Sequence, residues 1–161
     1  MRAEVAADVI IAEPVGSCAD LSATIMQPLK QYWNCDLQIA PLSVLADPVR
    51  LDSILAGENA GLHPDAAYIF HKQLEESDII LINKTDRLNE NQLKDLKQRT
   101  AQTFPSATIL AISAEKGTGT DEWLSQVTTR RDAGKRLACP LYTSDAADEE
   151  ESGDLGGRPP P

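Results

Sequence analysis

The sequence is poor in aromatic residues, cysteines and long apolar runs, and each shortage excludes a class of protein. Phe, Trp and Tyr make up 4% of the chain, so a core has to be built from Ile, Leu, Val and Ala. The cysteines Cys18, Cys35 and Cys139 have no paired spacing and predict no disulfide framework. No run approaches the roughly 20 apolar residues of a membrane span, and acidic residues interrupt the N-terminal stretch where a signal peptide would be apolar.

Basic residues are also scarce, since 15 Lys and Arg stand against 25 Asp and Glu and the formal net charge is -10. The chain has no basic stripe of the kind that nucleic-acid binding requires. Its 161 residues, 42% of them hydrophobic, suit one globular domain. We therefore expect a cytoplasmic protein that binds neither nucleic acid nor a membrane.

Strand-like apolar runs alternate with helical patterns along the chain. This alternation predicts an α/β fold with an open parallel sheet and flanking helices. Ligands of such sheets bind beyond the carboxyl ends of the strands. Three polar motifs follow predicted strands, so we expect all three to lie at that one edge. The predicted strands are 8–13, 37–45, 78–83 and 107–113, and the predicted helices are 19–33, 49–56, 65–76, 89–103 and 120–129, the last with Trp123 and Leu124 facing inward.

The first polar motif is Asn-Lys-Thr-Asp at 83–86, directly after the apolar run DIILI. Guanine carries two adjacent donors, its ring N–H and its exocyclic amine, and the carboxylate of Asp86 can accept both. Adenine lacks this pair, so a buried carboxylate would be left unpaired against it. Lys84 can lay its methylene stem along the base, and Asn83 can brace the loop. The alternative is a polar turn after a strand.

The second and third motifs follow two other predicted strands. In ISAEKG, the backbone N–H of Ala114 can meet the guanine carbonyl while Ser113 shapes the turn. In EPVGSC, Glu13 can orient a Mg²⁺ shell or a water, and Gly16 lets the backbone approach a terminal phosphate. Cys18 is a candidate ligand for a soft metal such as zinc. Glu13 can instead be satisfied by nearby backbone amides, and a small buried thiol is the favoured interpretation of Cys18.

These motifs together resemble the CobW/HypB/UreG family of P-loop GTPases, most closely its CobW-like branch. The matching stretches are EPVGSCADLSAT, PLSVLADPVRL, YIFHKQLEESDIILINKTDRL and the ISA turn, within residues 5–138. The resemblance implies a cytoplasmic GTPase that uses GTP and Mg²⁺ and delivers a metal ion or metal cofactor to a target protein. Matched by position, it implies that Asn83, Lys84 and Asp86 bind guanine, that Ser113 and Ala114 complete the pocket, and that Glu13 and Gly16 face Mg²⁺ and the γ-phosphate.

One family motif is absent from the sequence: the phosphate loop G-x-x-x-x-G-K-[ST], which cradles the phosphates. We therefore expect a fragment, with a nucleotide-binding domain at 1–138 that lacks its first strand and its phosphate loop. Such a chain should neither hydrolyse GTP measurably nor bind it tightly, because phosphoryl transfer depends on positioning and charge neutralisation. The alternatives are a naturally short regulatory module that binds guanine nucleotides without hydrolysis, and a related ATPase, which Asp86 argues against.

The last stretch, 139–161, has no strand or helix period, a run of three glutamates and three terminal prolines. Its composition is that of a disordered segment. It resembles the translated end of a sequencing-library adaptor, with Pro140 in place of the expected Leu. We interpret it as a disordered, non-native tail and exclude it from functional reasoning.

Overall fold

The computed structural model describes residues 8–16, 18–33 and 37–134, and the predicted tail at 139–161 lies outside them. All five predicted helices are present, with ends shifted by up to three residues. The elements in chain order are a π-helical turn Ser22–Met26, α1 (Gln27–Trp33), β1 (Ser43–Ala46), α2 (Pro48–Leu55), α3 (Pro64–Glu76), β2 (Ile79–Ile82), a 3-10 turn (Thr85–Arg87), α4 (Glu90–Thr103), β3 (Thr108–Ala111) and α5 (Thr120–Thr129).

The three strands form a parallel sheet in the order β1, β2, β3. Leu45 of β1 is in register with Leu81 of β2, and Leu81 is in register with Leu110 of β3. Helices connect successive strands, as parallel pairing requires. The predicted α/β class is confirmed, with a small parallel sheet flanked by helices.

The prediction of a buried strand at 8–13 is wrong. This segment is extended without a strand partner in the described part of the chain, and Val9 and Ile11 are 75% and 91% exposed. An apolar run becomes a strand only where a neighbouring strand supplies hydrogen bonds, and the run does not itself encode that neighbour. The strand predicted at 37–45 is likewise shorter and forms only at Ser43–Ala46.

The sheet has an apolar cluster on each face. On one face, α2, α3 and α4 contribute Leu51, Leu74 and Leu96, which pack with Ile80 and Ile82 of β2. These five side chains are at most 4% exposed, so this face carries most of the hydrophobic stabilisation.

Only α5 packs against the described part of the other face, where Trp123 and Val127 contact a cluster that includes Leu81. Leu124, expected to face inward with Trp123, is instead 49% exposed. Leu45 of the edge strand β1 is 55% exposed, although Trp123 of α5 donates to Ser43 Oγ on the same strand at 3.0 Å. On this face the sheet is therefore buried at Leu81 of β2 and exposed at Leu45 of β1.

Helix starts are fixed by side chains that satisfy free backbone amides. Asn89 accepts from the Gln92 amide at 2.9 Å, and the Gln92 side chain accepts from the Asn89 amide at 3.0 Å, which forms a capping box at α4. Asp47 caps α2 in the same position, with Pro48 as the first helical residue. Among the described helices, none combines the length and the apolar character needed to cross a membrane.

Candidate functional site

Polar residues follow each strand at the carboxyl edge of the sheet, and Asn83 joins two of the loops there. The backbone N–H of Asn83 donates to the Ala46 carbonyl at 3.0 Å, which extends the β1–β2 pairing by one residue. Its side-chain oxygen Oδ1 accepts from the Lys84 amide at 2.8 Å and from the Ala114 amide at 3.0 Å. One side-chain atom thus connects the two loops that the sequence predicts to bind guanine.

Asp86 and Ser113 form the second connection between these loops. Ser113 Oγ, in a residue only 1% exposed, donates to Asp86 Oδ1 at 2.6 Å, while the carboxylate itself faces solvent. This hydrogen bond is the main reason that the pKa of Asp86 is lowered, since it stabilises the ionised form. Asp86 therefore presents an oriented, charged acceptor at neutral pH.

Thr85 is a residue of the site that the sequence reasoning missed. Its backbone N–H and its hydroxyl both donate to the Ile112 carbonyl, at 3.2 and 2.9 Å. This fixes the first loop to the end of β3, beside Ser113. The signal in the sequence was the hydroxyl between Lys84 and Asp86. Its partner, the Ile112 carbonyl, follows a different strand and lies 27 residues away.

Asp47 is a second missed residue, and it contacts Lys84. Lys84 has a left-handed backbone, with φ 57° and ψ 34°, and its Nζ lies 2.7 Å from Asp47 Oδ2. The hydrogen bond from Lys84 is the largest cause of the lowered pKa of Asp47, and the amides of Arg50 and Val49 add to it. The sequence signal was an Asp directly after a strand that ends at the same edge.

The second loop, 113–118, is closed by backbone contacts. The Ser113 amide donates to the Thr118 carbonyl at 2.9 Å in an isolated antiparallel bridge. Gly119 follows with φ 76°, and a β-carbon at this position would collide with the carbonyl oxygen of Ala111. Only glycine fits there, so the end of this loop is held against β3.

A shallow cavity of about 280 Å³ adjoins the two loops. It is small for a ligand pocket, and Asn83, Lys84 and Ala114 do not line it. Its lining includes Thr85, Asp86, Leu88, Leu93, Ser113 and Thr118.

The EPVG segment does not join this site. Glu13 and Gly16 are exposed, and in the described part of the chain no hydrogen bond or ion pair links either to the loops at 83–86 and 113–118. Gln73 of α3 instead donates to the carbonyls of Gly16 and Cys18, at 3.1 and 2.8 Å. The expectation that all three motifs share one edge is therefore wrong, since the last turn of α3 leads into the amino end of β2.

Glu76 holds the same segment one turn further along α3. It is 1% exposed, and its carboxylate accepts from the amides of Asp20 and Ser22 at 2.7 and 3.4 Å. Desolvation by burial raises the pKa of Glu76 despite these hydrogen bonds. Glu76 meets these amides because the segment lies beside α3. The sequence motif alone does not specify that position.

The described residues do not by themselves form a cation site. In 8–16, 18–33 and 37–134, no group of three or more His, Cys, Asp and Glu side chains is placed to hold a metal ion. Cys18 is half-buried with a free thiol, and Cys35 and Cys139 fall outside the described ranges. The predicted roles of Glu13 with Mg²⁺ and of Cys18 with a soft metal stay predictions.

Comparison with known proteins identifies the domain type. Residues 1–111 match the family model described as CobW/HypB/UreG, nucleotide-binding domain. The match contains the loop at 83–86 and ends at Ala111, the last residue of β3. No curated protein and no solved structure matches the chain.

Proposed function

The chain belongs to the CobW/HypB/UreG family of nucleotide-binding domains, and from that premise we propose that its carboxyl-edge site binds guanine nucleotides. The observation that carries the proposal is the double connection between the loops, Asn83 to Ala114 and Ser113 to Asp86. These contacts hold an anionic acceptor and a constrained second loop next to each other. Such pre-ordering lowers the entropic cost of binding.

Asp86 supplies the selectivity for guanine. Its Oδ1 accepts from Ser113 and keeps lone pairs, and the residue is exposed, so the carboxylate can accept the ring N–H and the exocyclic amine of guanine. Adenine offers no such adjacent pair of donors. Hydrogen bonds to a charged group contribute roughly 1.5–3 kcal/mol each, enough to separate the two bases.

We further propose that this domain comes from a GTP-hydrolysing protein that delivers a metal ion or metal cofactor to a target protein. The family membership supports this role. The chain itself lacks the G-x-x-x-x-G-K-[ST] sequence, so it should bind GTP weakly and turn it over at a rate indistinguishable from that of a blank. Turnover with Mg²⁺ at the rate of a complete GTPase would contradict this proposal.

A non-hydrolysing, guanine-nucleotide-binding regulatory module is the second candidate. It is favoured by one observation, that the two base-reading loops are formed in a chain without the phosphate-loop sequence. The gene distinguishes the candidates. An in-frame phosphate-loop motif upstream of Met1 supports the GTPase, and an in-frame stop codon there supports the module.

The base assignment is tested by comparing GDP, XDP and ADP binding to the full chain and to Asp86→Asn. The unmutated chain should prefer GDP over ADP, and Asp86→Asn should reduce GDP affinity roughly 10- to 100-fold. The variant should gain relative preference for XDP, because xanthine has a carbonyl where guanine has the amine. Asp121→Asn removes an exposed acid on α5 and should leave all three affinities unchanged.

Equal affinity of the unmutated chain for GDP and ADP would overturn the guanine assignment. An Asp86→Asn variant that keeps the full GDP preference would overturn the role of Asp86. Both results are read from the ratio of affinities, so weak absolute binding does not obscure them.

A further inference from the structure

The two carboxylate oxygens of Asp47 accept hydrogen bonds from two different parts of the chain. Oδ1 accepts from the amides of Val49 and Arg50, at 3.0 and 3.3 Å, and so caps α2. Oδ2 accepts from Lys84 Nζ at 2.7 Å. Asp47 follows β1 as Asn83 follows β2, and the register pairs Ala46 with Ile82, so the two residues are neighbours at the carboxyl edge.

Both ends of Lys84 are held by residues of this edge. Its backbone amide donates to Asn83 Oδ1 at 2.8 Å, and its ammonium donates to Asp47 at 2.7 Å. The left-handed φ of 57° is uncommon for a residue with a β-carbon and requires such support. With both ends fixed, the four-carbon stem of Lys84 can adopt few conformations.

The ion pair has little value as a source of stability. The side chains of Lys84 and Asp47 are 45% and 29% exposed, and ion pairs of this exposure stabilise folded proteins only marginally. A cap alone needs no charge, since Asn caps helices as well as Asp does. Neither helix capping nor fold stability therefore explains why Asp47 contacts Lys84.

We propose that Asp47 is a positioning residue of the guanine site, which anchors the ammonium of Lys84 so that the methylene stem is already ordered where the base packs. The inference rests on the proposed function and extends it to a residue of a third loop. Ordering a long side chain only upon binding reduces affinity roughly 2- to 10-fold. Because Asp47 orders the Lys84 side chain before the base binds, this loss of affinity is avoided.

The substitution Asp47→Asn separates positioning from capping. Asn keeps an oxygen for the amides of α2 but offers no negative charge to Lys84. In the full chain, its affinity for guanosine should fall roughly 2- to 10-fold with little change in the midpoint of thermal unfolding. Asp47→Ala should lose the same affinity and lower the midpoint by roughly 2–4 °C, because it also removes the cap.

Guanosine is the right probe because it carries no phosphate. A charge change at position 47 would alter the attraction of a nucleotide's phosphates, and this effect is absent with a nucleoside. Binding is followed by NMR chemical shifts of the Ala114 amide. The control is Asp52→Asn, which removes from the same helix one of the two carboxylates that pair with Arg99 and should leave guanosine affinity unchanged.

A second measurement needs no ligand. NMR relaxation of the Lys84 ε-methylene should report an ordered side chain in the unmutated protein and a mobile one in Asp47→Asn. Equal mobility in the two proteins would overturn the anchoring.

The binding outcomes distinguish the two proposals. If the unmutated chain prefers guanosine over adenosine and Asp47→Asn binds guanosine equally well, only the positioning role is overturned. If the unmutated chain shows no preference for guanosine, the proposed function fails and the positioning role fails with it.

Discussion

The hydroxyl of Ser113 donates to Asp86 Oδ1 at 2.6 Å and so joins loops that are 27 residues apart in the chain. The donor is buried and the acceptor is exposed, which means that the fold fixes the hydroxyl and the hydroxyl fixes the carboxylate. The orientation of the Asp86 carboxylate is thereby set by Ser113, which follows β3.

Removing this hydroxyl should raise the pKa of Asp86. In Ser113→Ala the main cause of the lowered value is lost, so the carboxyl pKa should move up toward its ordinary value. A ¹³C NMR titration of the Asp86 carboxyl measures the change. Ser106→Ala, at an exposed serine in the turn before β3, should leave the titration unaltered, and an unchanged pKa in Ser113→Ala would contradict the assigned cause.

Removing the ammonium of Lys84 should raise the pKa of Asp47. Lys84→Met keeps a long apolar side chain and deletes the partner that contributes most to the lowered value. A carboxyl with a lowered pKa stabilises the fold at neutral pH, and this contribution is lost as the pH falls through the folded-state pKa. The small stability difference that this exposed ion pair contributes should therefore disappear in acid.

The same Asp47 carboxyl can be titrated by ¹³C NMR in both proteins. Lys94→Met, on the exposed face of α4, is the matched control and should leave Asp47 unchanged. A pKa of Asp47 that stays low in Lys84→Met would assign the shift to the α2 amides instead.

Glu76 should make the protein relatively more stable as the pH is lowered. Burial raises its pKa above the ordinary value, so the folded state binds a proton more tightly than the unfolded chain does. This contribution is fully present below the unfolded-state pKa and is lost as the pH rises through the folded-state pKa. The neighbouring charge of Asp20 acts in the same direction.

Urea unfolding of the unmutated protein and Glu76→Gln, from neutral to mildly acidic pH, tests this. Other carboxyls titrate in both proteins and cancel in the difference. The unmutated protein should gain stability relative to the variant as the pH falls. A difference that is constant, or that changes in the opposite direction, would refute the prediction.

Two leucines in register should respond differently to truncation. Leu81 is fully buried under α5, and its partner Leu45 on the edge strand is 55% exposed. Leu81→Ala should reduce the free energy of unfolding by about 2–5 kcal/mol, because it leaves a cavity. Leu45→Ala should cost less than about 1 kcal/mol, and similar losses at both positions would mean that the edge strand is covered in solution.

The sequence predicted the residues that directly follow strands better than the contacts between them. Asn83, Asp86, Ser113 and Ala114 were identified because their type and position suit guanine, and the structure brings them together. Asp47 was overlooked because its partner Lys84 lies 37 residues away, a separation that no local pattern encodes.

The failure at 8–13 has a different physical origin. Val9, Ile10 and Ile11 are good strand residues, but strand formation depends on a neighbour whose identity is not local information. The positions of Glu13 and Gly16 depended on that strand, so they were misplaced with it. A motif could be located from sequence only where its supporting element also formed.

Gly119 determines which parts of the second loop can diverge. Because a side chain at this position would strike the Ala111 carbonyl, and because Ser113 pairs with Thr118, both ends of the loop have a fixed path. The intervening residues 114–117 are exposed. Substitutions at 114–116 can therefore change the surface chemistry of this loop while its backbone, and the amide that meets Asn83, keeps its place, whereas Gly117 is held to glycine by its φ of 70°.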